Sequence, residues 1–124
     1  MRPSEIGSKG ENLAAGFLRK KGLQILARNY RFKRQEVDII AQDRDTICFV
    51  EVKTRTNKEF GLPEEAITLK KRKHLINLAV NYIKRFQLIG YNVRFDVVAI
   101  NWDKKIPQIN YIKNAFLTDD FWSV

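Results

Sequence analysis

The centre of the chain, residues 35–55, contains two short runs rich in Val, Ile and Phe with a polar break between them. Two such runs joined by a short polar connection predict a β-hairpin. Each run carries charge where a strand is normally apolar: Asp38 in the first, Glu51 and Lys53 in the second. Apolar neighbours fill both faces around Glu51, so this glutamate is not expected on an ordinary solvent-facing side of the sheet.

The register of the hairpin follows from its loop. If four residues form the loop, Gln42 lies opposite Ile47 and Asp38 lies opposite Glu51. Opposed residues of antiparallel strands point to one face with Cβ atoms roughly 5 Å apart. The lysine two positions after Glu51 shares that face, roughly 6–7 Å farther along. Two adjacent carboxylates in an apolar sheet repel each other and are costly to bury, and a divalent cation between them would remove that cost.

Helical periodicity lies on either side of the hairpin. Before it, Ser4 is a candidate N-cap, and Gly22 suits the position just after the helix end. After it, Thr68 is a candidate N-cap for a helix over 69–86. The apolar stripes have helical spacing: Ile6, Gly10, Leu13, Ala14, Phe17 and Leu18 in the first helix, and Leu75, Leu78, Ala79, Tyr82, Ile83 and Phe86 in the second.

Further strands complete the outline. Residues 23–32 and 91–100 each predict a strand, and the alternation around Ile109 predicts a last strand that Pro107 places at a sheet edge. No internal repeat or linker interrupts this order. We therefore expect one α/β domain over residues 1–124.

Two segments are expected to lie outside this framework. Residues 56–63 read as a polar loop punctuated by Gly and Pro, and we expect it to be mobile. In the tail, Phe116, Phe121 and Trp122 are expected to pack as a lid over the core.

The charge distribution bears on partners. A net charge of +9 favours polyanions. The basic residues of the chain concentrate in two segments that contain no Asp or Glu, residues 12–35 and 66–95, and these segments flank the acidic hairpin. Solvated helix faces could explain either segment alone, but the pair favours a nucleic-acid partner.

Other classes of function are disfavoured. Cys48 lies in an apolar strand and the one histidine, His74, lies in a basic run, so Cys48 is expected to be a core residue and not a nucleophile. The chain carries neither a signal-peptide pattern nor an apolar run of membrane-spanning length. We therefore expect a cytoplasmic protein with no membrane partner.

Two helix residues could reach the hairpin. Spacing places Glu11 one residue off the first stripe, where an ordinary exposed glutamate is the favoured interpretation. Lys71 lies on the second stripe, four residues before Leu75. It either meets a phosphate or a carboxylate at the sheet or extends outward into solvent.

The hairpin charges match the needs of phosphodiester hydrolysis. Mg²⁺ is typically held by one or two carboxylates plus substrate phosphate, and it activates both the phosphate and a bound water. Asp38 and Glu51 supply the carboxylates, and Lys53 could orient the hydroxide or stabilise charge on the phosphate. A buried Glu–Lys pair that merely fixes the register is the competing interpretation, and it leaves Asp38 unexplained.

Motifs throughout the chain carry a family resemblance. They are Gly10-Glu11 with Ala14, Gly22, Asn29-Tyr30-Arg31, Glu36 to Ile40, Phe49 to Arg55, Arg94 to Val98, and Ile112 to Phe116. Together they resemble the bacterial YraN-like family of uncharacterised proteins. That family is similar to the restriction-endonuclease-like PD-(D/E)xK nucleases, most closely the archaeal Holliday-junction resolvases. Gln35 departs from the pattern, because family members often have glycine there.

The resemblance implies more than the spacing does. It implies a restriction-endonuclease-like core, with a mixed central sheet of about five strands flanked by helices. It implies a catalytic group of Glu11, Asp38, Glu51 and Lys53, in which the three carboxylates converge on Mg²⁺ or Mn²⁺. It also supports Lys71 as a site residue, and it makes a homodimer that acts on branched DNA possible.

The sequence thus predicts a Mg²⁺-dependent endonuclease acting on DNA, including branched DNA. The alternative is a non-catalytic nucleic-acid-binding module that keeps the nuclease scaffold, and a structural adaptor ranks third. The basic residues expected to contact phosphates are Arg31, Arg34, Arg55 and Lys71.

Overall fold

The computed structural model describes residues 2–56, 67–103 and 105–116. Over these ranges the chain forms two helices and one five-stranded sheet. Neither described helix is long and apolar enough to cross a membrane. The elements in chain order are α1 Pro3–Lys20, β1 Gln24–Phe32, β2 Gln35–Asp43, β3 Thr46–Arg55, α2 Leu69–Arg85, β4 Asn92–Asn101 and β5 Gln108–Ile112.

The sheet is mixed and open, which confirms the α/β class and the mixed sheet flanked by helices. Its strands follow the chain order β1-β2-β3-β4-β5. Strands β3 and β4 are parallel, and the other neighbouring pairs are antiparallel. A parallel pair needs a long crossover, and α2 lies within it. Strand β5 is at an edge, as expected.

The β2–β3 hairpin has the predicted register, with Gln42 opposite Ile47. Its turn is tighter than the loop that was expected, because Asp43 also pairs with Thr46. Arg44 closes the turn with a positive φ of 57°.

The two helices cover opposite faces of the sheet. Ala14 and Leu18 of α1 pack with Val50 in one buried cluster, and Leu78 of α2 packs with Phe49 in the other. Burying each large apolar side chain contributes about 1.5–3 kcal/mol. Each face of the central strands is therefore apolar, and the core position expected for Cys48 is confirmed on the α1 side.

The helix ends correct one prediction and confirm another. Ser4 is not the N-cap: the cap is Arg2, without a side-chain hydrogen bond, and the helix begins at Pro3. Proline suits the first helical position because its φ is already helical and its missing N–H has no partner there. At the other end Gly22 adopts φ 94°, and the Leu23 N–H donates to a last-turn carbonyl at 3.0 Å.

The start of α2 follows the sequence prediction. The Thr68 hydroxyl accepts a hydrogen bond from the Lys71 backbone N–H at 3.1 Å, which confirms this N-cap. The helix ends at Arg85, with Phe86 as C-cap.

Only part of the tail prediction falls within the described chain. Phe116 is buried and stacks on Phe95 with ring centroids 4.9 Å apart. Phe121 and Trp122 lie outside the described residues, as does the loop over 56–63 apart from its first residue.

Candidate active site

The ladder between β2 and β3 ends beside Asp38. Regular pairing stops at Ile39 and Val50. Two residues beyond Val50, the Val52 backbone N–H donates to Asp38 Oδ2 at 2.7 Å. The carboxylate thus replaces a backbone carbonyl as the acceptor for a strand N–H, and this bond fixes Asp38 where the regular pairing ends.

Strands β1 and β2 both change face at this point. Val37 packs in the α2-side cluster, whereas Ile39, two residues later, packs in the α1-side cluster. In β1, Arg28 hydrogen-bonds α1, whereas Tyr30 packs against a tyrosine of α2 at 5.1 Å. A regular strand keeps residues i and i+2 on one face. Asn29, with a φ of 51°, interrupts that alternation.

Asn29 also lies beside two site carboxyls, although nothing in the sequence analysis assigned it a role. The flanking pairs of β1 and β2 place it opposite Asp38. Its side chain hydrogen-bonds Glu11, which lowers the pKa of that carboxyl. Asparagine is one of the few residues besides glycine that visit the left-handed region routinely. An asparagine in the middle of a predicted strand was therefore the available signal.

An open groove of about 540 Å³ lies at this end of the sheet. Its walls include Glu11 from α1, Asp38 from β2, and Lys53 and Arg55 from β3. The structure thus brings three of the four expected catalytic residues, and one expected phosphate contact, to the same groove.

Glu11 reaches this groove because α1 lies very close to β3. A Cβ added to Gly10 would lie 3.1 Å from the Thr54 Cβ and nearer still to its hydroxyl. Glycine removes that clash. The resemblance, not the helical spacing, correctly placed Glu11 beside the hairpin.

Glu51 lies on the α2 side of β3 and does not line the groove. It follows Phe49 by two positions, and it is only 4% exposed. Lys71 Nζ stands 3.8 Å from Glu51 Oε1 and donates to the Glu36 carbonyl at 2.8 Å. Lys71 therefore faces the sheet, as its stripe predicts, and the group that it meets is a carboxylate.

The three carboxyl groups form one electrostatic group. Burial, then the charge of Asp38, raises the pKa of Glu51 to about 7. Burial likewise raises the pKa of Asp38, against the opposing effect of the Val52 N–H. The pKa of Glu11 is also raised, by burial first and by Asp38 second. A cation placed among these carboxylates would lower all three pKa values.

Two buried oxygens of this group, Glu11 Oε1 and Glu51 Oε1, make no hydrogen bond. Arg28 Nη2 at 3.9 Å and Lys71 Nζ at 3.8 Å are close enough for charge attraction only. Among the residues that the structure describes, no three His, Cys, Asp or Glu side chains could enclose a metal ion. Carboxylates that do not enclose an ion do not suit a closed structural zinc site. They suit Mg²⁺ or Mn²⁺, which completes its coordination shell with waters and phosphate.

The four basic residues expected to contact phosphates do not form one cluster. Arg55 lines the groove and Lys71 lies behind it. Arg31 is 76% exposed at its side chain and pairs with Glu36 at 3.0 Å. Arg34 is exposed in the β1–β2 turn. A polymer would have to extend from the groove to that turn to meet all of them.

Replacing Asn29 separates its two roles. Asn29→Gly keeps the positive φ and removes the amide, whereas Asn29→Ala loses both. We expect the alanine variant to be less stable than the glycine variant by about 1 kcal/mol in urea denaturation. In both variants the pKa of Glu11, followed by NMR, should rise, because the hydrogen bond that lowers it is gone. Equal stability of the two variants would show that the left-handed conformation is unimportant.

Comparison with known proteins adds a family. A model described as "Uncharacterised protein family UPF0102" matches residues 10–100, which include all four expected catalytic residues. A UPF0102 protein of Caldicellulosiruptor saccharolyticus is similar, with 48% identity over 118 residues, 94% of this chain and 100% of the relative. A UPF0102 protein of Clostridioides difficile is 46% identical over 116 residues, again 94% and 100%. One of Chlorobium phaeobacteroides is 43% identical over 122 residues, 94% and 97%.

Proposed function

The chain belongs to the uncharacterised protein family UPF0102, the YraN-like family that its motifs resemble, and we propose from the geometry of its candidate site that it is a divalent-metal-dependent endonuclease. Its substrate is DNA, including branched DNA, and its cofactor is Mg²⁺ or Mn²⁺. The observation that carries this proposal is the pair of buried carboxylate oxygens without a hydrogen bond, on Glu11 and Glu51, in one electrostatic group with Asp38.

The site is poorly explained as a purely structural feature. A buried acceptor without a donor costs about 1–3 kcal/mol, and more if charged. Burial raises the pKa of each of the three carboxyls. The side-chain cations of Arg28, at 3.9 Å from Glu11, and of Lys71, at 3.8 Å from Glu51, are beyond hydrogen-bond distance, so a bound cation would stabilise the ionised site. Perturbed carboxyls in a cleft, here Glu11 and Asp38 with Glu51 buried behind them, are typical of functional sites.

Each residue has a distinct part in the proposed reaction. Mg²⁺, when bound, polarises the scissile phosphate and lowers the pKa of a bound water. Asp38, held in place by the Val52 N–H, and Glu51 would hold the ion, with Glu11 assisting through water. Lys53 on the groove wall orients the attacking oxygen or offsets the charge that develops on the phosphate. Arg55 on the same wall contacts a phosphate of the substrate.

The choice of a nucleic-acid substrate rests on shape and charge. The groove is open to solvent, as access by a polymer requires, and the protein carries a net charge of +9. Positive charge of this size supplies sequence-independent affinity for the phosphate backbone. We include in the proposal a homodimer, which would present two such grooves to a branched substrate, and sedimentation velocity tests it directly.

One observation favours a second candidate, a nucleic-acid-binding module that does not cut. Glu51 does not line the groove, and Lys71 already stands 3.8 Å from it as a partial counter-charge. In such a module the carboxylates would stabilise the scaffold, and DNA affinity would not depend on divalent ions.

A cleavage screen separates the two candidates. We expect the purified protein to cut at least one of linear, flapped and four-way DNA substrates with Mg²⁺ or Mn²⁺, and to cut none in EDTA. In a parallel titration without DNA, Mn²⁺ should broaden the NMR signals of Glu11, Asp38 and Glu51. Binding of DNA without cleavage, together with no response of these signals to Mn²⁺, would favour the binding module.

A further inference from the structure

We infer that a second phosphate-binding site lies at the opposite end of the sheet, formed by Lys21, Arg44 and Lys113. A cavity of about 650 Å³ lies there between the end of α1, the β2–β3 turn and the end of β5, and all three cations line it. The ligand is the phosphate backbone of a nucleic acid. Another part of the same nucleic acid lies in the acidic groove, which is the groove lined by Glu11, Asp38 and Lys53. The identity of the ligand therefore rests on the proposed function.

The floor of this cavity is held by buried polar contacts. The Tyr111 hydroxyl donates to Asp96 at 2.6 Å and accepts from Arg94 at 3.1 Å. Arg94 also pairs with Asp43, another lining residue, at 3.3 Å. The Tyr111 ring meets Phe17 edge to face at 6.0 Å. Asp96 is buried and Asp43 is half-buried, and both pair with Arg94 within the fold. These two carboxylates therefore do not neutralise the cations at the rim.

The rim is positively charged. Lys21 Nζ lies 5.4 Å from the centre of the Phe17 ring, and Lys113 Nζ lies 5.8 Å from that of Tyr111. Both lysines are exposed. The one carboxylate that remains on this rim, Asp45, accepts hydrogen bonds from neutral side chains. Three cations against one carboxylate leave a net positive site, in which the aromatic rings position the two ammonium groups.

The third cation lies at a costly backbone position. Arg44 adopts a φ of 57° in the tight β2–β3 turn. The left-handed region costs a non-glycine residue roughly 1–2 kcal/mol, and tight hairpin turns prefer Gly, Asn or Asp. Arg44 is exposed and lines the cavity, so its guanidinium is accessible to a ligand there.

Geometry connects this cavity with the acidic groove. Five positions along β2 separate Asp38 in the groove from Asp43 in the cavity, about 17 Å of strand. Fourteen positions along α1 separate Gly7 from Lys21, about 21 Å of helix. Both estimates correspond to about five or six nucleotides of duplex. A separate depression beside Gly16 lies between them along the same helix and shares Phe17 with the cavity. An extended polyanion fits this path.

The test compares two triple variants with equal charge. The first is Lys21→Gln, Arg44→Asn, Lys113→Gln, which removes the cavity cations and keeps a residue that tolerates positive φ. The control is Lys70→Gln, Lys73→Gln, Lys84→Gln, three exposed lysines of α2 on the other face of the sheet. Affinity for a duplex of ~24 base pairs, long enough to pass the cavity at about 3.4 Å per pair, is measured in EDTA over a range of salt, so that cleavage plays no part.

We expect the cavity variant to bind at least about tenfold more weakly at low salt, with a salt slope reduced by roughly two to three. The control should lose much less. Arg44→Asn alone should weaken binding while its stability stays equal or rises, which excludes unfolding as the cause. Equal losses in the two triple variants, no loss in the cavity variant, or no DNA binding by the wild type would each overturn the second site. If the selective loss occurs in a protein that cuts no substrate, the second site stands and the endonuclease proposal fails.

Discussion

Replacing Lys53 with alanine is expected to lower metal-dependent DNA cleavage by at least about 100-fold, a loss typical for removal of one group that stabilises charge in the transition state. Lys53 is the lysine on the wall of the acidic groove, two positions beyond the buried Glu51. DNA binding in EDTA should change by less than about threefold, because one of many phosphate contacts is lost. The measurement is a single-turnover cleavage rate at saturating Mg²⁺.

Lys73→Ala is the matched control for this variant. Lys73 is an exposed lysine of α2 with no place in the groove, so its removal should leave the cleavage rate within about twofold. Glu51→Gln should be as inactive as Lys53→Ala. If cleavage continues at the wild-type rate in both Lys53→Ala and Glu51→Gln, the acidic groove is not the active site.

Glu51→Gln is expected to stabilise the metal-free protein at pH 8. Burial and Asp38 raise the pKa of Glu51 from the ordinary value of 4.5 to about 7. The native state therefore keeps a proton that the unfolded chain has released, and the free energy of unfolding falls as the pH rises from 4.5 to 7. At pH 8 the ionised carboxylate costs up to about 3 kcal/mol, and glutamine, of the same shape, does not pay it.

Urea denaturation at pH 4 and pH 8 measures this effect. At pH 4 the two proteins should be equally stable, because Glu51 is protonated in both the native and the unfolded state. Glu5→Gln, at an exposed position of α1, is the control and should stay within about 0.5 kcal/mol at either pH. A variant less stable than the wild type at pH 8 would show that Lys71 at 3.8 Å already stabilises the carboxylate.

Divalent ions should reverse this order. A ligand that binds only the native state stabilises it by about 4.1 kcal/mol at 1,000 times its Kd, which exceeds the advantage of about 3 kcal/mol expected for Glu51→Gln. Mg²⁺ or Mn²⁺ should therefore raise the melting temperature of the wild type at pH 8 and leave that of Glu51→Gln unchanged. The ion should also release protons from the wild type between pH 5 and 7, because it lowers the carboxyl pKa values.

Much of the candidate site could be predicted from local patterns. The alternation on either side of a short polar break fixed the register of β2 against β3, since a slip of one residue would turn every apolar side chain to the wrong face. The helical stripe through Leu75 likewise placed Lys71 toward the sheet, because residues four apart share a helix face. Both depend only on residues close in sequence.

The error at the start of α1 is also local. Ser4 is a good N-cap by composition, but Pro3 is already suited to the first helical position, so the helix begins two residues earlier than a Ser4 cap would place it. Two acceptable start signals lay side by side, and the position of proline was the stronger one.

The sequence alone determines the set of elements, the hairpin register, the two helix faces and the residues that carry charge into the sheet, because periods of 2 and 3.6 are properties of short segments. The meeting of those charges depends on the tertiary structure. One left-handed residue, Asn29, accompanies the change of face in β1 and β2, and Gly10 lets α1 bring Glu11 to the groove. Glu51 lies on the other side of the sheet, beneath α2. Backbone irregularities and long-range packing have no period, and they decide which carboxylates share a groove.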